Sequence, residues 1–110
     1  MNDEELARTI AQLRAEYAGQ LPRTVAQMED LWRRLAAGET ASLQRAELAR
    51  MAHGITGSGT TFGLPRATKA ARDLEQFLDQ IRESGRLPGP AEQEAFLPLL
   101  AALRQAAVQP

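Results

Sequence analysis

Few side chains in this sequence could do chemistry. The one histidine, His53, stands in the run Met51-Ala52-His53-Gly54-Ile55-Thr56-Gly57-Ser58-Gly59-Thr60-Thr61-Phe62-Gly63-Leu64, and the absence of cysteine leaves no thiolate nucleophile, disulfide or soft metal ligand. An unperturbed imidazole has a pKa of about 6.5, so its neutral, nucleophilic form is abundant near neutrality without a neighbouring base.

A helix turning about 100° per residue gathers Leu48, Met51, Ala52, Ile55, Gly59 and Phe62 into one apolar stripe. His53 then points roughly 150° from the stripe's centre, sharing its side with Ala46, Arg50, Gly57 and Thr60, so the imidazole is expected to face solvent. Gly57, one turn beyond, costs such a helix about 1 kcal/mol relative to alanine. Clearance for a partner's backbone or a phosphoryl group would compensate, and the same holds more weakly for Gly54. Gly59, on the core side, fits close packing between helices.

Other chemistries fare worse. A lone histidine without cysteine has only scattered carboxylates as metal co-ligands. Ser58 falls on a different helix face from His53, and no third group completes a Ser/His pair. The glycines lie within a predicted helix, not between a strand and a helix as a nucleotide loop would, and no Gly-x-x-x-x-Gly-Lys run is present.

The run His53-Gly54-Ile55-Thr56-Gly57-Ser58, followed by Thr61-Phe62-Gly63-Leu64 and later Asp73-Leu74-Glu75, resembles the signature of histidine-containing phosphotransfer (HPt) domains. One position departs from it: Thr56 stands where many members carry a lysine that helps balance phosphate charge. Arg50, one turn before His53 on the same face, is the candidate replacement. The resemblance implies that His53 accepts a phosphoryl group from a receiver-domain aspartyl-phosphate and passes it to another receiver. The chain would be a phosphocarrier and not an enzyme by itself, with no cofactor of its own and with Mg²⁺ on the receiver. Arg50, Gly54, Thr56, Gly57 and Thr60 would lie next to the phosphate or the partner, with Arg66, Lys69 or Arg72 of the following helix as further contacts. Partners would be response-regulator receivers and a hybrid histidine kinase. The competing function is a helical module that docks a receiver or kinase without accepting phosphate, which Thr56 favours.

The scaffold agrees with such a role. A chain of 110 residues is expected to form one domain, residues 1–110, with no room for an ATP-binding domain. Hydrophobic residues make up 44% and charged ones 25%, too apolar for disorder, while the 5% of aromatics and the many alanines and leucines favour an all-α class. With 13 Lys+Arg against 14 Asp+Glu, the net charge of −1 argues against nucleic acid as a partner. The acidic start Asn2-Asp3-Glu4-Glu5 is unlike a signal peptide, and no apolar run approaches the roughly 18 residues that span a bilayer, so a cytoplasmic, membrane-free location is expected.

Along the chain, Asn2 or Asp3 caps a short first helix carrying Leu6, Ile10, Leu13 and Tyr17 and ending near Gly19. Pro22 then opens a second helix over 21–37, with Val25, Met28, Trp32 and Leu35 inward and Gly38 as its stop. Thr40 or Ser42 caps the His53 helix, which directs Leu43, Leu48, Met51 and Ile55 to the core and ends at a turn through Gly63. Leu64, Ala67, Ala71, Leu74, Leu78 and Ile81 form a near-heptad seam ended by the loop Ser84–Pro90. The last helix begins near Ala91 with Phe96, Leu99, Leu100, Leu103 and Ala107 inward, and Pro98 predicts a kink or a start delayed to near itself. The expectation is an up-down antiparallel four-helix bundle with an additional short N-terminal helix across one end, and a monomer, since each apolar stripe would be used by the bundle.

Overall fold

In a computed structural model, residues 2–38 and 41–109 are described, and they form four helices with no strand among them. Helix α1 spans Asp3–Ala36, α2 Ala41–Phe62, α3 Pro65–Ser84 and α4 Pro90–Val108. Each packs against two others, α1 and α3 both touching α2 and α4, which closes a ring around one apolar core.

The inward faces follow the apolar periodicity. Val25, Met28, Trp32 and Leu35 of α1, Leu48, Ala52 and Ile55 of α2, the whole Leu64-to-Ile81 seam, and Phe96, Leu100, Leu103 and Ala107 of α4 are all buried. Trp32 is part of this core and no binding platform: its ring stacks on Phe96 with centroids 3.9 Å apart and planes 10° from parallel. Gly63 and Gly85 take φ of 67° and 68°, conformations that favour glycine, and so end α2 and α3.

The separate N-terminal helix is absent, because α1 runs unbroken through Gly19 and Pro22. Proline in a helix interior removes the bond to the carbonyl four residues back, here Ala18; Pro22 lies on the exposed face, where water can reach that carbonyl. The N-terminal turns are also tied down, as Arg14 Nε donates to the Phe62 carbonyl at 2.6 Å, at the negative end of α2, and Tyr17 packs on the Phe62 ring at 5.5 Å. Helix α1 is therefore about 50 Å long by its rise per residue, close to the molecule's full 53 Å. Its stripe Leu6, Ile10 and Leu13 is 41–48% exposed, so the bundle leaves it unused.

Leu43 points outward at 65% exposure, and Gln44 is buried in its place. Leu43 lies about 140° from Leu48 around the helix, beyond the reach of the stripe. Helix α4 starts at Pro90 and continues through Pro98, so no delayed start occurs; Glu94, whose carbonyl Pro98 leaves without a helical partner, is on the solvent side. The Asn2 cap is present, its Oδ1 accepting the Glu5 backbone N–H at 2.8 Å. The Thr40 cap lies outside the described residues, and Ser42 falls in the first turn of α2.

Because Pro22 lies inside a continuous helix, Pro22→Ala restores a hydrogen bond and is expected to raise stability by about 1–3 kcal/mol in urea unfolding. No gain would mean that a helix starts at this residue instead.

Candidate functional site

The site is built on the packed pair of helices α2 and α3. A Cβ placed on Gly59 would collide with Thr68 Oγ1 and stand 3.3 Å from the Thr68 backbone nitrogen, so the absence of a side chain at 59 lets the two helices approach. Further along the same antiparallel pair, His53 Nδ1 lies 3.1 Å from Glu75 Oε2. The side chain of His53 is 81% exposed and that of Glu75 only 24%.

Glu75 thus holds the ring from behind. An ionised carboxylate can only accept a hydrogen bond, so this contact calls for the proton on Nδ1 and leaves the Nε2 lone pair free. Nε2 is then the ring nitrogen that keeps its lone pair, on a side chain that is largely exposed.

The sequence-predicted neighbours divide between the two sides of this ring. Gly54 and Gly57 are exposed with open space where a Cβ would stand, leaving the backbone beside His53 bare. Thr56 is half-buried, and its hydroxyl donates to the Ala52 carbonyl at 3.1 Å; Thr60 is exposed, and its hydroxyl donates to the Thr56 carbonyl at 2.8 Å. Arg50 is exposed, but its guanidinium lies on Glu47, with Nε 3.0 Å from Oε2. That hydrogen bond holds the Glu47 carboxyl below its usual range and raises the Arg50 guanidinium.

Ser58 is on another face, as its spacing implies. It lines a groove between α1 and α2 with Tyr17, Thr24 and Arg50. Burial raises the Tyr17 phenol, against a smaller lowering by a hydrogen bond with Ser58. Lys69 pairs with Asp73 at 2.8 Å and Arg66 with Gln109 at 3.0 Å, both along the α3–α4 groove; Lys69 also borders the α2–α3 groove, which Arg72 lines.

Glu75 is a site residue that helical spacing alone does not mark. The Leu74-Glu75 pair was visible as part of a motif, yet its contact with His53 depends on the register between two helices, which periodicity within either does not carry.

The sequence matches the Hpt domain family over residues 4–107, essentially its whole length. The chain belongs to the Hpt domain family. No curated protein and no solved structure matches it at a significant level. Hpt domains are helical phosphocarrier modules of His–Asp phosphorelays that meet receiver domains and histidine kinases, and the four-helix ring described above is of that kind. No helix among the described residues is long and apolar enough to cross a membrane.

The glycines of this Hpt domain divide into two kinds. Gly54→Ala and Gly57→Ala meet open space and are each expected to stabilise the fold by about 0.5–1 kcal/mol through helix propensity. Gly59→Ala, pressed against Thr68, is expected to destabilise it by about 1–3 kcal/mol. Thermal unfolding of the three variants reads this order directly.

Proposed function

We propose that His53 is the phosphoacceptor of this Hpt domain. Its Nε2 takes a phosphoryl group from an aspartyl-phosphate on a receiver domain and yields it to another receiver. The observation that carries this reading is an exposed imidazole held through Nδ1 by a carboxylate set behind it.

The neutral ring attacks phosphorus with the Nε2 lone pair. The N–P bond forms as the P–O bond to the aspartyl carboxylate breaks, and the electron pair leaves with the carboxylate. The ring then carries positive charge, which the Nδ1–H···Glu75 contact stabilises without moving a proton. Transfer onward is the same step reversed. Catalysis of this kind consists mainly of positioning and charge stabilisation, so this chain supplies a rigid, accessible nucleophile while the receiver supplies its carboxylate and Mg²⁺.

The bare backbone at Gly54 and Gly57 gives the receiver room to approach, and Arg50, Thr56 and Thr60 flank that approach. A hybrid histidine kinase carrying a receiver is the expected source of phosphoryl groups. A cytoplasmic site of action is part of this reading.

Incubation with phosphorylated receivers is expected to place acid-labile label on the wild type and none on His53→Gln. Label that persists in His53→Gln, or a wild type that binds receivers without taking label, contradicts the proposal; the second result would favour pure docking. Glu75→Ala is expected to slow acceptance about tenfold, the loss of one charge-assisted hydrogen bond of about 1.5 kcal/mol, while Glu75→Gln keeps an acceptor for Nδ1–H and most of the rate.

A further inference from the structure

A phosphoryl group on His53 would bring two negative charges to a face that already holds the Glu75 carboxylate. Among the described residues, helix α2 offers no cation that is not already engaged. Its only charged residues besides His53 are Arg45, Glu47 and Arg50. Arg45 donates to the Arg86 carbonyl, Arg50 is held by Glu47, and the Thr56 and Thr60 hydroxyl protons are turned back onto their own helix.

The neighbouring helix does offer a cation. The contacts Gly59–Thr68 and His53–Glu75 fix the antiparallel register of α2 against α3. One turn before Glu75 on α3 therefore comes level with one turn after His53 on α2, which sets Arg72 opposite Thr56. Arg72 is exposed and lines the α2–α3 groove together with Gly59, Thr60 and Thr68. No carboxylate or hydrogen-bond partner engages its guanidinium among the described residues, whereas Lys69, in the same groove, is tied to Asp73.

We infer that Arg72 is the phosphate-facing cation of this Hpt domain, reaching from α3 into the space that the short Thr56 leaves open on α2. This rests on His53 being the phosphoacceptor. The guanidinium presents several N–H donors on a long stem and pairs with phosphoryl oxygens in a fork, so it can serve a group one turn away that a threonine cannot reach. It is a positioning and charge-balancing residue for the transfer, and the first candidate for what distinguishes this chain from lysine-bearing relatives.

The test uses phosphoramidate as donor and the full chain, followed by ³¹P NMR. Nε2 displaces the donor's already protonated amine, which leaves as ammonia as the N–P bond to the ring forms. Wild type is expected to give an acid-labile phosphohistidine signal. Arg72→Gln should form it about three- to tenfold more slowly, as for the loss of one partly solvated charge pair. That difference should shrink as salt is raised. Arg72→Lys should keep part of the rate, and Thr56→Lys should restore it in the Arg72→Gln background. Arg34→Gln, on α1 beside Asp30, should match wild type. A wild type that labels while Arg72→Gln labels equally fast overturns the inference and leaves the phosphoacceptor reading standing. A slow Arg72→Gln that Thr56→Lys fails to restore also overturns it, since charge would not be the cause. A wild type that never labels on His53 overturns both.

Discussion

The close approach of α2 and α3 at Gly59 and Thr68 is the constraint on which this site depends. Two long helices can slide by a turn at modest loss of apolar contact, but a glycine seated on a threonine allows one register. That register delivers the Glu75 carboxylate to Nδ1 of His53 and brings Arg72 level with Thr56. A side chain at 59 would separate the helices and loosen the hydrogen bond that orients the His53 ring.

The segment bearing the histidine is a poor helix by its own propensities. From Gly54 to Thr61 it consists of Gly54, Ile55, Thr56, Gly57, Ser58, Gly59, Thr60 and Thr61, residues that favour turns or strands over helix. Packing holds it: Ile55 is buried, Phe62 lies against Tyr17, and Arg14 and the Gly63 turn secure its end. The threonines bond back to carbonyls one turn earlier, which uses their hydroxyls and keeps that surface low and uncharged. The arrangement gives up intrinsic helicity in exchange for a bare surface around one protruding ring, supported by the Trp32–Phe96 stack and the seam of α3.

Much of this was legible in the residues themselves. Period and spacing identified the inward faces of α3 and of the second half of α1, the outward ring of His53, the Gly63 turn and the division between Gly57 and Gly59. What they did not carry has a common cause: periodicity states which face of a helix is apolar, not whether anything covers it or what lies across the groove. Leu6, Ile10 and Leu13 formed a proper stripe that nothing covers. Pro22 suggested a helix start and Pro98 a kink or a delayed start, but each frees a carbonyl on an outer face and α1 and α4 run on through them. Arg50 shared the histidine's face on the wheel, but Glu47, one turn away on that helix, holds its guanidinium. Glu75 and Arg72 acquire meaning only once the register is known.

In the proposed function, Glu75 fixes the proton on one nitrogen of the His53 ring and leaves the other to react. Long-range ¹H–¹⁵N correlation of ¹⁵N-histidine-labelled protein, recorded on the neutral ring and again after phosphorylation, reads both nitrogens of the only histidine. The expected result is a protonated Nδ1 and a bare Nε2 before reaction, and phosphorus coupled to Nε2 afterwards. A neutral ring protonated at Nε2, or a phosphoryl group found on Nδ1, would contradict it.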